Sequence, residues 1–410
     1  MTEVRPAREF VHCRGDFPAL QRVWKSRPLA FFDGPGGTQV PQAVVDAIGG
    51  YYATCNANTH GEFVTSRESD AAIATARQAA ADLLGAEGPH TISFGANMTT
   101  LNFALSHALG RMLQPGDEIL ITQLDHEANR GPWLGLRERG MIVREVRLRP
   151  DGTLDMADFE AKLGERTRLV ALGYASNALG TVNDAARVRR WTWQCGAWLL
   201  LDAVHYAPHL PLAVAELGVD FLLCSAYKFY GPHVGILYSR EGVLDQLPTD
   251  RLRTQDPVAP WRVETGTLNH AALAGVTAAV DYLASFGVGA DRRSRLRDAY
   301  ARLGEHERDL AQRLAAGLRE IPGATLYGLP AETTPRAPTL AFTLAGRHPE
   351  EVCRHLGERG ICAWNGHFYA IRAMEVLGLL ASGGVVRTGI AMYNTPVEVG
   401  RLLEALRELA

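Results

Sequence analysis

The chain carries only six cysteines in 410 residues, and no two of them stand at C-x-x-C spacing. That spacing is what zinc sites and thioredoxin-like redox centres use, so neither chemistry is indicated. Unpatterned thiols also agree with a reducing compartment. There is no G-x-G-x-x-G and no Walker lysine, so a nicotinamide dinucleotide or ATP has no motif to hold it. Charge is close to balance, with 42 Lys and Arg against 45 Asp and Glu and a formal net charge of −3. A nucleic-acid binder would show a basic excess. The Arg-rich run from Arg292 to Arg319 is interleaved with Glu305, Glu307 and Asp309, and its apolar residues recur at helical spacing. It reads as an amphipathic helix with a solvated face. No apolar stretch is long enough to cross a bilayer. Residues Met1 to Pro18 lack the apolar core of a secretory signal. The expectation is a cytoplasmic protein without membrane or nucleic-acid partners.

What is present is ordinary globular composition, 47% hydrophobic and 21% charged, with enough chain for two domains. Residues 1–30 read as an N-terminal helix and approach segment. Residues 31–285 read as a large domain in which strands and helices alternate. Its clearest elements are the helix Ser69–Leu84, the strand Ile119–Thr122, the helix Trp133–Arg139, the helix Ala185–Cys195 and the strand Trp198–Asp202. Alternation of this kind implies α/β architecture with a mostly parallel sheet covered on both faces. A long helix from about Ala290 to Ile321 leads into a smaller α+β domain, residues 286–410. Strands there are expected at Pro338–Leu344, Gly360–Trp364 and near Val385–Met392, and helices at Pro349–Glu358 and Pro396–Leu409.

Two residues carry the most chemistry. Asp202 closes the apolar run WLLLD, and Lys228 follows the apolar run FLLCS. Both stand where buried parallel strands empty into a site at their carboxyl edge. Taken singly, each reads as an ordinary strand-end charge. Together, an amine and a carboxylate so placed suit pyridoxal 5′-phosphate (PLP). The amine forms a Schiff base, and the carboxylate keeps a proton on the pyridine nitrogen.

Three further segments supply the remaining parts. Asn97, Met98 and Thr99 lie in a loop feeding a helix N-terminus, which offers free N–H groups and a favourable dipole to a phosphate. A plain N-cap is the competing reading for Asn97 or Thr99. His126 follows the strand ILIT and suits a ring that stacks on a cofactor and carries protons, while a satisfied surface histidine is the competing reading and the better one from this segment alone. Asn177 follows another strand, and its amide suits the phenolic oxygen of the cofactor. Turn chemistry competes there.

In chain order these motifs are the phosphate loop, DHEAN, SNALGT, LDAVH, SAYKFYGP, ETGTLN and RTGIAMYNT. The set resembles the class V aminotransferase family, within the fold-type I PLP enzymes. It is most similar to the cysteine desulfurase and selenocysteine lyase branch. The resemblance implies a large domain with a sheet of the seven-stranded, mostly parallel type, and a smaller C-terminal domain. It also implies a homodimer with the site at the interface and a small amino acid as substrate. By position, Lys228 matches the Schiff-base lysine, Asp202 the pyridinium partner and His126 the stacking histidine. Ser225 matches a phosphate ligand, and Thr267 a threonine reaching the phosphate from the partner subunit. Arg387 matches the arginine that holds the substrate carboxylate. Gly36, in DGPGG (Asp33 to Gly37), matches an early loop beside the substrate, and a plain turn competes equally with that reading.

The sequence also departs from that pattern. His205 stands where the family usually has glutamine beside the phenolic oxygen. Tyr227 replaces the histidine before the lysine, a usual phosphate ligand. Trp364 replaces a second arginine, and Tyr369 takes the position of the nucleophilic cysteine. A desulfurase needs that thiolate to accept sulfur as a persulfide. A phenol cannot do so. Cys362 reads as a buried, inert thiol on a short strand, sharing a face with Trp364 if the strand alternates. The expected chemistry is therefore cleavage of a C–S or other β-substituent bond. A class V aminotransferase or an epimerase is the alternative on the same scaffold. A non-catalytic regulator of this fold is the alternative of another class.

Overall fold

The computed structural model describes residues 7–409. A seven-stranded sheet forms the centre of the large domain. Its strands are β1 Ile92–Gly95, β2 Glu118–Thr122, β3 Ile142–Val146, β4 Thr167–Gly173, β5 Trp198–Asp202, β6 Phe221–Ser225 and β7 Gly235–Ser239. The spatial order is β1-β7-β6-β5-β4-β2-β3. Strands β2 to β6 pair in parallel, while β7 runs antiparallel to both β1 and β6. Every residue of β2, β6 and β7 is buried. That explains their near-continuous apolar sequences, because a sheet covered on both faces has no polar side to alternate with. The helix Ala185–Cys195 is capped by the Asp184 carboxylate, which accepts from Arg187 N–H, and ends at Gly196 with φ +70°. It occupies the residues that the sequence pattern assigns to it.

A second sheet, antiparallel throughout, belongs to the C-terminal part. It contains β8 Ala324–Tyr327, β9 Thr339–Leu344, β10 Trp364–Gly366 and β11 Val385–Gly389, in the order β8-β9-β11-β10. The long helix Arg292–Arg319 packs on it through Leu310, Leu314 and Leu318. No described helix is long and apolar enough to cross a membrane.

Three local expectations need correction. The N-terminal segment is not an α-helix but two 3-10 turns, Phe10–Asp16 and Pro18–Gln21. A stretch this short does not sustain a helix alone. It is fixed instead by Phe17, which packs edge-on against Tyr230, Tyr282 and Tyr393. The helix expected at Trp133–Arg139 begins earlier, at Glu127, because His126 caps it, and it relaxes into a 3-10 turn at Gly135–Arg139. The strand expected at Gly360–Trp364 breaks at Ala363. Ile361–Cys362 pairs in parallel with Ala30–Phe31, whereas Trp364 joins β11 in the small sheet. Cys362 and Trp364 therefore do not share a strand face.

The two halves of the large sheet's edge meet tightly. A Cβ added to Gly235, at the start of β7, would lie 2.4 Å from the Asn97 carbonyl carbon and 2.7 Å from its Cα. Backbone cannot yield as a rotamer does. Gly235→Ala is expected to lower unfolding free energy by about 1–3 kcal/mol, as overpacking does. It should also weaken PLP binding by displacing the loop at Asn97. Denaturant unfolding and a cofactor titration check the two effects separately.

Candidate active site

The carboxyl ends of β5 and β6 are neighbours, with Asp202 in register with Leu223. Chain leaving β6 makes a single 3-10 turn, Ala226–Lys228, which turns the lysine back over the strand ends. Lys228 and Asp202 both line one cavity of about 540 Å³, with Asn97, Met98, Thr99, His126, Asn177, His205, Ser225 and Tyr227. Ten of the expected positions are thus brought together. Thr267 is not among them. It is exposed and lines a different, open groove with Trp261 and Arg77. Gly36, Trp364 and Arg387 do not line the cavity either, but they lie close to one another, Gly36 adjoins the lining residue Pro35, and Arg387 binds the carbonyl of the lining residue Asn177.

Burial dominates the electrostatics. The Lys228 amine is pushed down to about 7 by burial and then by the Arg387 charge, against the pull of Asp202 and Asp33. Its Nζ donates to the Pro35 carbonyl at 2.5 Å. Burial raises Asp202 to about 6, while a hydrogen bond from Val204 N–H and the Lys228 charge oppose the rise. A lysine that is easily neutral at physiological pH is a nucleophile for an aldehyde.

His126 caps the helix Glu127–Leu134, and its Nδ1 accepts from Ala128 N–H at 3.0 Å. An accepting Nδ1 is unprotonated, so the ring proton sits on Nε2. Burial, then Lys228 and Arg387, push the ring down to about 4, so it is neutral. The loop beneath it is pinned by Asp125, whose carboxylate accepts from Thr122 N–H at 2.8 Å and Gly173 N–H at 2.7 Å.

The phosphate end is partly committed already. Asn97 is the N-cap, its Oδ1 accepting from Thr100 N–H at 2.9 Å. The Met98 N–H donates to Ser225 Oγ at 3.0 Å, so it is not a free donor for a phosphate. That leaves the Ser225 hydroxyl proton and the Thr99 groups facing the cavity. Tyr227 stacks on His233, with centroids 4.7 Å apart and planes 9° apart, and His233 also lines the cavity. On the far side His205 Nε2 pairs with Thr339 Oγ1 at 2.8 Å.

Arg387, on β11, is buried and pushed down to about 9 by burial, and it remains charged at neutral pH. Its Nη1 donates to the Asn177 carbonyl at 3.1 Å, and its Nε is buried without an acceptor. A buried charged donor left unpaired is costly unless a ligand completes it. Asn177 Nδ2 donates to the Phe368 carbonyl at 2.9 Å, so that amide is engaged by the chain itself.

Sequence reasoning missed three residues here. Asp33 has a buried, unpartnered Oδ1 and is pushed up to about 6 by burial, opposed by Arg387 and Lys228. The signal was its place at the end of AFFD, before the glycine turn. His233 was visible two residues after the glycine of FYGPH. Phe368 stands immediately before Tyr369, in the stretch GHFYA. Its ring centroid is 4.1 Å from Arg387 Cζ.

The site fits the group that its residues imply. A neutral-capable, half-buried lysine, a carboxylate one strand away, a flat neutral imidazole and hydroxyls at a helix N-terminus are the groups that PLP requires. Fold and site together define a PLP-dependent enzyme of fold type I. The family model for class-V aminotransferases matches residues 30–402, and the chain belongs to that family. It is 36% identical to the probable cysteine desulfurase of Mycolicibacterium paratuberculosis over 97% of its length, though it spans only 58% of that relative. It is 33% identical to the cysteine desulfurase of Serratia proteamaculans, covering 97% of each chain. Among solved structures, the cysteine desulfurase from Thermococcus onnurineus superposes with a TM-score of 0.88 at 28% identity. Escherichia coli CsdA superposes with 0.86 at 28% identity, and each comparison covers 98% of both chains.

The lowered lysine has a measurable consequence. A protonated amine does not attack an aldehyde, so cofactor capture by the PLP-free protein should be slow below pH 7 and rise as pH passes through about 7. Absorbance stopped-flow reads the rate. Borohydride reduction and peptide mapping should then find the pyridoxyl group on Lys228. A rate that rises only near the ordinary lysine range would contradict the burial argument.

Proposed function

We propose that the chain is a C–S lyase that releases a β-substituent from an amino acid by elimination, without a protein-bound persulfide. One observation carries this reading. The proton-handling groups Lys228 and Asp202 and the cation Arg387 are intact, while the position matching the nucleophilic cysteine holds Tyr369. Bound PLP would supply an electron sink for the α-carbon. Asp202 would hold the ring-nitrogen proton. Lys228, once displaced by the substrate amine, would take the α-proton. Neutral His126 would lie against the cofactor without adding a positive charge that competes with the sink. The unpaired edge of Arg387 would take the substrate carboxylate, with Gly36 leaving the room.

Cys362 does not restore a desulfurase in this reading. Burial, with Asp33 adding to it, pushes its thiol up to about 11, so it carries little thiolate at neutral pH. Its strand is tied to Ala30–Phe31 and is separate from the stretch that bears Tyr369. We also propose a homodimer in which Thr267, exposed in the single chain, completes the partner's phosphate site.

Incubation with a cysteine-type substrate should yield sulfide or thiol, a keto acid and ammonia. A desulfurase would instead yield alanine and a labelled cysteine. Thiol trapping before peptide mapping separates the two, and a persulfide on Cys362 that disappears with its activity in Cys362→Ala would sink the proposal. Arg387→Lys should cut kcat/KM roughly ten- to a hundredfold, since lysine offers no planar fork worth about 1.5–3 kcal/mol. Unchanged kinetics would place the carboxylate elsewhere.

A further inference from the structure

The rim around Arg387 is built from aromatic side chains where a charged leaving group would want cations. Trp364 and Arg387 are directly opposed on the antiparallel strands β10 and β11, so both project from the same face. They also converge in space. A Cβ placed on Gly36 would be 3.1 Å from the Trp364 Nε1 and 3.6 Å from Arg387 Nη2. The Phe368 ring covers the guanidinium face. Tyr369 stands beside it, its ring 5.3 Å from that of His126.

This roof is held in one shape. Phe368 and Tyr369 both have left-handed backbones, φ +52° and +59°, which bulky residues rarely adopt. Three hydrogen bonds fix them. Asn177 Nδ2 donates to the Phe368 carbonyl at 2.9 Å, Glu127 N–H to the Tyr369 carbonyl at 2.7 Å, and Tyr369 N–H to His367 Nδ1 at 3.1 Å. In the single chain Trp364 is 54% and Tyr369 65% exposed. Large exposed aromatics clustered at a cavity mouth mark a contact surface.

We propose that this site selects amino acids whose β-substituent is an aryl thioether, the S-aryl-L-cysteine class, and that Trp364 and Phe368 determine the choice. The proposal rests on the C–S lyase reading and narrows it. The arginine edge takes the carboxylate while the indole and phenyl faces flank the aryl group. A free thiolate gains little there, because the rim's cation, Arg387, is engaged by the carboxylate and the aromatic faces do not replace the water it would lose. A neutral aryl sulfide gains stacking at each ring. The balance is simple. The Cβ–S bond breaks and its electron pair leaves with sulfur, which ends as an aryl thiol after taking a proton. The three-carbon enamine left behind adds water and gives pyruvate and ammonia. No oxidant or reductant is needed.

The PLP-loaded protein would be assayed with S-phenyl-L-cysteine and L-cysteine for pyruvate and for thiol or sulfide release. The aryl substrate should be favoured by about tenfold or more in kcat/KM, the size of one good aromatic contact. Calorimetry with 3-(phenylthio)propanoate and 3-mercaptopropanoate, which lack the amine, reads the same preference without turnover. Trp364→Leu should erase most of that preference and Trp364→Phe should retain it. Pyruvate formed equally well from both substrates would overturn the aryl assignment while leaving the lyase reading intact. No pyruvate from either, with the calorimetric preference present, would support the pocket and overturn the lyase reading. Equal binding of the two propanoates would overturn the pocket.

Discussion

Four charged side chains meet around the carboxyl edge of one sheet, Arg387 and Asp202 buried and Lys228 and Asp33 half-buried, and the site depends on how they share that loss of water. For each of them desolvation is the largest influence, and it drives all four toward neutrality. Opposite charges nearby oppose that drive. The outcome is an amine and two carboxyls poised close to neutral pH beside a guanidinium that stays charged. Groups in that condition exchange protons with little cost, which is what α-proton chemistry asks of them. Moved to the surface, the same four residues would be fixed in their charged forms.

The topology delivers these charges from distant parts of the chain. Asp202 and Lys228 come from adjacent parallel strands, whose ends must lie on one edge. Arg387 comes from the other sheet. Asp33 reaches it because the segment after Phe31 is stitched to the end of β11, with Gly389 N–H donating to the Phe32 carbonyl at 2.8 Å. A residue near the start of the chain and one near its end thereby meet. This is also why the small sheet cannot be treated as an accessory. It supplies Arg387 and Trp364 and the partner of His205.

Sequence was informative wherever a side chain's role follows from its own element. The apolar runs ending at Asp202 and Ser225 are strands because they are buried on both faces, so their ends could be read as an edge. Ala185–Cys195 was readable from its cap and its closing glycine. What was not readable depends on approach between segments. Nothing local to GHFYA says that Phe368 lies on a guanidinium. Nothing local to ICAWNG says that Cys362 pairs with Phe31 and Trp364 with Arg387, which is what splits an apparent single strand. Asp33 looked like turn chemistry because its partners come from the third and fourth hundreds of the chain.

Constraint is distributed unevenly over the site, and that bears on how its chemistry can differ from its relatives'. On the cofactor side most polar atoms are already spoken for. Asn97 caps a helix, Ser225 binds the Met98 amide, Asp125 pins two loops and His126 caps another helix. Changing any of them disturbs backbone as well as cofactor. On the substrate side the side chains of Trp364, Phe368 and Tyr369 project from a roof that is fixed by backbone hydrogen bonds and by Asn177. None of those hydrogen bonds uses the side chains of Trp364, Phe368 or Tyr369. A fold arranged in this way can keep its proton-handling groups while the side chains of its rim differ. Two of the four departures from the family pattern, Trp364 and Tyr369, lie at that rim, while the other two, His205 and Tyr227, replace side chains of the cavity itself and leave Lys228, Asp202 and Arg387 in place.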